Sequence, residues 1–189
     1  MFKLHEKLET EVEIDGEVYE VNLAFDNVML LLTIVDDRSL TDEEKVDAGI
    51  YTLLGTQLEL EIDQRVKVFE ALMENFIQGS DKRGLQVDLE GNVMPEVNRK
   101  PVYDLFHDGE YIYSSFRQAY GMNLLEEQGR LDWREFKALL RDLPDDTKLK
   151  QVIDIRTRPY PKGKGMSEER KQLKELKRAF ALPGTDWED

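Results

Sequence analysis

Thr10-Glu11-Val12-Glu13-Ile14-Asp15-Gly16-Glu17-Val18-Tyr19-Glu20-Val21-Asn22-Leu23-Ala24-Phe25 is the stretch on which the fold turns, because the apolar period changes at its end. Thr10, Val12 and Ile14 alternate with Glu11, Glu13 and Asp15; Tyr19, Val21 and Leu23 alternate with Glu20 and Asn22. A period of two puts one set of side chains on each face of a strand, so residues 8–24 read as a β-hairpin. Asp15-Gly16 suits the two-residue turn in which both positions need positive φ. That turn sets Ile14 opposite Glu17, Val12 opposite Tyr19 and Thr10 opposite Val21, gathering the apolar side chains on one face.

After Phe25 the spacing becomes helical. Asp26 or Asn27 is placed to cap a short helix through Val28, Leu31 and Val35. Thr41-Asp42-Glu43-Glu44 is a capping box, and behind it Val46, Ile50, Leu53 and Leu54 share a face. Asp63 opens a third helix with Val66, Phe69, Met73 and Phe76 as a stripe widened by Leu72 and Ile77; Gly79-Ser80 stops it. Gly84, Gly91-Asn92, Pro95 and Pro101 then break any period, so residues 80–103 read as a long loop or a linker that orders on binding, with Val87 and Leu89 able to form a marginal strand.

A second helical block begins near Asp108. Ile112, Phe116 and Tyr120 recur every four residues, and Gly121 ends that helix as a left-handed cap. Asp132 caps the next, lined by Trp133, Phe136, Leu140 and Leu143 and closed by Pro144. Asp145 or Asp146 caps another, carrying Leu149, Val152, Ile153 and Ile155 up to Pro159. Pro159-Tyr160-Pro161-Lys162-Gly163-Lys164-Gly165 is a basic connector. Ser167 caps a last helix in which Leu173, Leu176 and Phe180 form a narrow stripe, suited to docking on the body or to lying in a partner's groove. The pattern is mainly α: a helical bundle-like domain with an N-terminal β-hairpin spans 1–158, and 159–189 is a basic linker plus a C-terminal amphipathic helix.

The chain has 189 residues and no cysteine, which excludes disulfides, thiol nucleophiles and zinc–cysteine sites. No apolar run approaches the roughly 20 residues of a membrane span. Met1-Phe2-Lys3-Leu4-His5-Glu6 lacks a signal-peptide layout, so a cytoplasmic protein is expected. The net charge of −14 is unevenly spread: Arg156 to Arg178 holds nine basic residues against Glu168, Glu169 and Glu175, a local +6 that leaves −20 elsewhere. An acidic body with a basic arm favours oriented association with other proteins. Lys171, Lys174 and Lys177, with Leu173, Leu176 and Phe180, are therefore the candidate partner-binding residues.

No catalytic constellation emerges, and no enzyme, cofactor or metal is expected. His107 with Asp104 and Asp108 has metal-ligand chemistry, but helix capping accounts for the cluster. Asp36-Asp37 and Asp145-Asp146 are paired carboxylates at helix ends. Gly163-Lys164-Gly165 lacks the phosphate-loop frame. The basic arm has one interleaved aromatic, Tyr160, and no stacking platform, while the acidic body repels phosphate; a nucleic-acid-binding regulator is the least favoured binding class.

Tyr111-Ile112-Tyr113-Ser114-Ser115-Phe116, Ala119-Tyr120-Gly121-Met122-Asn123-Leu124, Leu131-Asp132-Trp133-Arg134-Glu135-Phe136-Lys137-Ala138-Leu139-Leu140, Thr147 and Ile155-Arg156-Thr157, in this order, resemble the bacteriophage "gp fifteen" family of long-tailed phages and prophages of Gram-positive bacteria. The hairpin residues Ile14-Asp15-Gly16, Tyr19 and Val21-Asn22 resemble its opening. Ala119 stands where the family often has an acidic residue. The resemblance marks Ile112, Phe116, Tyr120, Gly121, Trp133, Phe136, Leu140 and Ile153 as a core signature. It implies tail morphogenesis in the host cytoplasm, as a tail assembly chaperone that binds the tape-measure protein and tail-tube subunits. A minor tail or connector subunit of the virion is the alternative, and a homo-oligomer is open.

Overall fold

The computed structural model describes residues 4–78, 102–163 and 165–185. The Gly79-Ser80 stop, all but the last two residues of the 80–103 loop, its marginal strand and the acidic tail 186–189 lie outside them. The described chain is mainly α-helical, with one two-stranded antiparallel hairpin. No described helix is long and apolar enough to cross a membrane.

The hairpin has the expected register. Strands β1 (Glu11–Ile14) and β2 (Glu17–Glu20) pair Ile14 with Glu17 and Val12 with Tyr19, and the Val21 N–H donates to the Thr10 carbonyl at 2.6 Å. Asp15 and Gly16 have φ of 51° and 82°, the left-handed pair that the turn requires.

The chain divides into two compact units: residues 1–94 with 127–138, and 95–126 with 139–189. In the first, α1 (Phe25–Asp36), α2 (Asp42–Leu54) and α3 (Ile62–Leu72) follow the hairpin, and α3 runs on as a π-helical turn over Met73–Gln78. Thr41 and Glu44 make the reciprocal capping box, with Glu44 Oε2 accepting from the Thr41 N–H at 2.8 Å. The inner face of the hairpin, through Ile14, packs with Val46, Ile50 and Leu58, and Val12, Tyr19, Val66 and Phe69 pack against them. Gly49 permits the α2–α3 crossing: a Cβ there would collide with the Phe69 ring and press Leu31 Cδ1 at 3.2 Å.

A long-range bridge completes this unit. The Phe25 N–H donates to the Leu131 carbonyl at 2.9 Å and the Trp133 N–H to the Leu23 carbonyl at 2.7 Å. The Phe25 ring then stacks on Phe136 at 4.9 Å, and Phe136 on Trp133 at 5.6 Å. The Trp133 Nε1–H and the Lys137 ammonium both donate to the Ile77 carbonyl, at 3.1 and 2.6 Å, capping the π turn.

The second unit is built on α4 (Gly109–Tyr120), α6 (Lys148–Thr157) and α7 (Ser167–Ala179); α5 (Trp133–Arg141) supplies its last residues here and its first to the other unit. Ile112, Phe116, Leu140, Leu143, Leu149 and Val152 are buried. Gly121, at φ 65°, caps α4. Tyr120 keeps an exposed edge and donates its hydroxyl to the Leu139 carbonyl at 2.9 Å.

Several helix starts differ from expectation. Alpha-1 begins at Phe25, so Asp26 and Asn27 lie in its first turn; the bridge to residues 131–133 fixes the start, and Asp26 instead accepts from the Gly129 N–H. Glu61 precedes α3, with Gln64 Oε1 accepting from its N–H, in place of a cap by Asp63. Thr147 precedes α6 in place of Asp145 or Asp146, because the open Leu149 N–H is taken by Ser115 Oγ on α4 at 2.9 Å. Ser167 is the first residue of α7, and Met166, which has no capping side chain, holds the cap position.

Candidate interaction surface

Of the two roles open to the C-terminal helix, the structure has it docked. Alpha-7 lies on α6, burying Leu173 and Lys177 on its inner side, and Leu182 is buried just beyond it. Phe180, half-buried, meets Tyr111 of α4 edge to face at 6.1 Å, and the Lys148 ammonium sits 4.8 Å above the Phe180 ring. The Lys177 ammonium sits 4.8 Å over the Tyr160 ring in the connector, and burial pushes its pKa below the usual lysine value.

The end of α7 is held by a charge that the sequence assigned to a basic arm. Arg156 is fully buried: its Nε donates to the Phe180 carbonyl at 2.6 Å, its Nη1 to the Val102 carbonyl at 3.1 Å, and its guanidinium pairs in bidentate fashion with Asp108 at 2.6 and 2.8 Å. Desolvation disfavours the Asp108 carboxylate, but hydrogen bonds from Arg156 and from the Asp104 N–H outweigh it and hold its pKa below the usual carboxylate value. One guanidinium therefore ties α6, the start of α4, the chain at 102 and the C-terminus of α7 together.

The six candidate partner residues thus divide. Leu173 and Lys177 face inward, Lys174 and Phe180 are half-buried, and Lys171 and Leu176 remain exposed, Leu176 at 43%. Ile153 of the core signature is half-buried, and Arg156 takes the inner position beyond Val152. The spacing held that signal: Arg156 continues the Leu149–Val152 stripe at three- and four-residue steps, where an inward side chain is due. Nothing in the sequence named Asp108 as its partner.

The acidic clusters have local employment. Asp104 Oδ1 accepts from the Phe106 and His107 N–H groups at 2.9 and 2.6 Å, and Asp108 is committed to Arg156. Hydrogen bonds from the Ser39 N–H and hydroxyl keep Asp37 below the usual carboxylate pKa. Asp145 and Asp146 are exposed, and the Asp146 carbonyl accepts from Gln118 and Gln151. Among the described residues no group of three or more histidine or carboxylate side chains is placed to hold a metal ion. The arm is also less cationic than its sequence: Arg156 is enclosed, Lys177 is buried, and Arg158 pairs with Asp154.

The family model of the bacteriophage Gp15 protein matches residues 4–182, and the chain belongs to that family. It is a phage structural or morphogenesis protein. Searches of curated proteins and of solved structures found no match.

Proposed function

We propose, with membership of the bacteriophage Gp15 family as the premise, that this protein is a tail-assembly factor that chaperones the tape-measure protein and recruits tail-tube subunits in the host cytoplasm. The observation that carries this reading is the family match along residues 4–182. The surface chemistry supports it: a net charge of −14 keeps the chain soluble, while Leu30, Tyr51 and Leu176 keep 54%, 56% and 43% of their surface exposed on helices. Exposed apolar side chains of this kind are available to contact the apolar stripe of a long partner helix.

On this reading the protein works through reversible surface contact and makes no covalent bonds; the commitment of Asp37, Asp104 and Asp108 to caps and an ion pair supports that view. The docked state of α7 modifies the mechanism. Its inner residues hold the protein's own fold, so partner contact through this helix falls to Lys171, Leu176 and their exposed neighbours. The enclosure of Arg156 and Lys177 weighs against phosphate binding by this arm.

A structural subunit of the virion fits the same family class. Mass spectrometry of purified mature particles separates the two readings: an assembly chaperone is absent from them, whereas detection at subunit stoichiometry overturns the proposal in favour of a tail or connector component.

A further inference from the structure

We infer that the outer face of the hairpin docks onto the basic connector and helix α7 of a second copy of this chain. The register puts Glu11, Glu13, Val18 and Glu20 on the face turned away from the core. Glu11 stands directly opposite Glu20, a like-charge pairing that destabilises a hairpin, and neither has an ion-pair partner among the described residues. Val18, opposite Glu13, is 67% exposed in the middle of these carboxylates. This face thus has an apolar centre ringed by negative charge.

The counterpart lies at the junction of the connector with α7. Lys162, Arg170 and Lys171 are exposed there, and Arg170 reaches the Pro161 carbonyl at 3.4 Å, which brings the two segments together. Met166, 39% exposed, is the apolar centre, and it lies against Gly163. Glu168 and Glu169 offset part of the charge, and Arg156, Arg158 and Lys177 are engaged within the chain, so the basic side of the contact rests on Lys162, Arg170 and Lys171. An acidic face at one end of the chain and a basic one at the other are not self-complementary. Contact between copies therefore pairs the acidic patch of one with the basic patch of another. Exposed ion pairs are weak and salt-screened, so the association is concentration-dependent and reversible.

The test is sedimentation velocity of the full-length chain over a concentration series, at about 20 mM and about 300 mM salt. Wild type should associate at low salt and dissociate at high salt. Reversing one face in Glu11→Lys/Glu20→Lys, or the other in Lys162→Glu/Lys171→Glu, should raise the apparent dissociation constant about tenfold or more. A mixture of the two variants should associate again, because each restores the other's missing partner. Circular dichroism establishes that each variant is folded. Wild type that stays monomeric at low salt, reversed variants that associate as wild type does, or a mixture no better than either variant alone overturns the inference. If the carboxylates only guard the strand edges, the hairpin variant should aggregate independently of the helix variant, and this too overturns it.

Discussion

Arg156 and Asp108 form an ion pair from which water is shut out, and two more of the guanidinium's donors are on the Phe180 and Val102 carbonyls. Removing one partner strands the other in a low dielectric. Asp108→Ala should therefore cost about 3–5 kcal/mol in urea unfolding, far more than an exposed pair such as Arg141–Asp142. The pH dependence has a definite sign. Because the folded carboxyl has its pKa lowered, the pair contributes in full above the ordinary value of 3.8 and is lost as pH falls through the depressed value. Asp108→Asn should remove that part of the acid destabilisation, measured as a flatter stability–pH profile below pH about 4. At this scale the sequence was hard to read. An arginine in a basic run is indistinguishable from a solvated one until the helix face it occupies is counted, and the identity of its partner 48 positions away depends on tertiary structure. Ser115, buried, escaped for the same reason: its role is to accept the Leu149 N–H at the start of α6, 34 positions away.

Elements were far more legible, because their signals are local. Asp15-Gly16 specified turn, register and face of the hairpin, and Thr41 with Glu44 specified the start of α2. Helix starts set by distant partners were not legible: α1 begins at Phe25 because residues 131–133 bridge to it, not because of a cap within its own sequence. Two substitutions probe packing between elements. Gly49→Ala would gain roughly 1 kcal/mol of helix propensity, yet the Cβ meets the Phe69 ring, so a net loss of about 1 kcal/mol in thermal or urea unfolding is expected. Leu173→Ala tests the docking of α7: buried in that contact, it should cost about 2–4 kcal/mol and speed amide exchange along α7. A silent Leu173→Ala would mean that the helix is not held by this face.

For the whole molecule, composition and periodicity conveyed the mainly α class, and the ordered residues around Tyr120-Gly121 and Trp133 conveyed the family that the match over residues 4–182 shows. Periodicity did not convey that residues 127–138 return to the unit begun by the hairpin while 139–185 complete the other, since membership of a core depends on contacts between remote segments. The charge imbalance, by contrast, was legible from the start, although burial removes Arg156 and Lys177 from the available surface. Under the proposed function, the protein acts by covering a tail protein's apolar helices. The most direct measurement is the soluble fraction of the tape-measure protein from the same phage, expressed alone and together with this chain, followed by affinity capture through a tag on this chain. The account predicts that co-expression moves the tape-measure protein into the soluble fraction and that the two are captured together. A tape-measure protein equally soluble in both cases, with none captured, would contradict it.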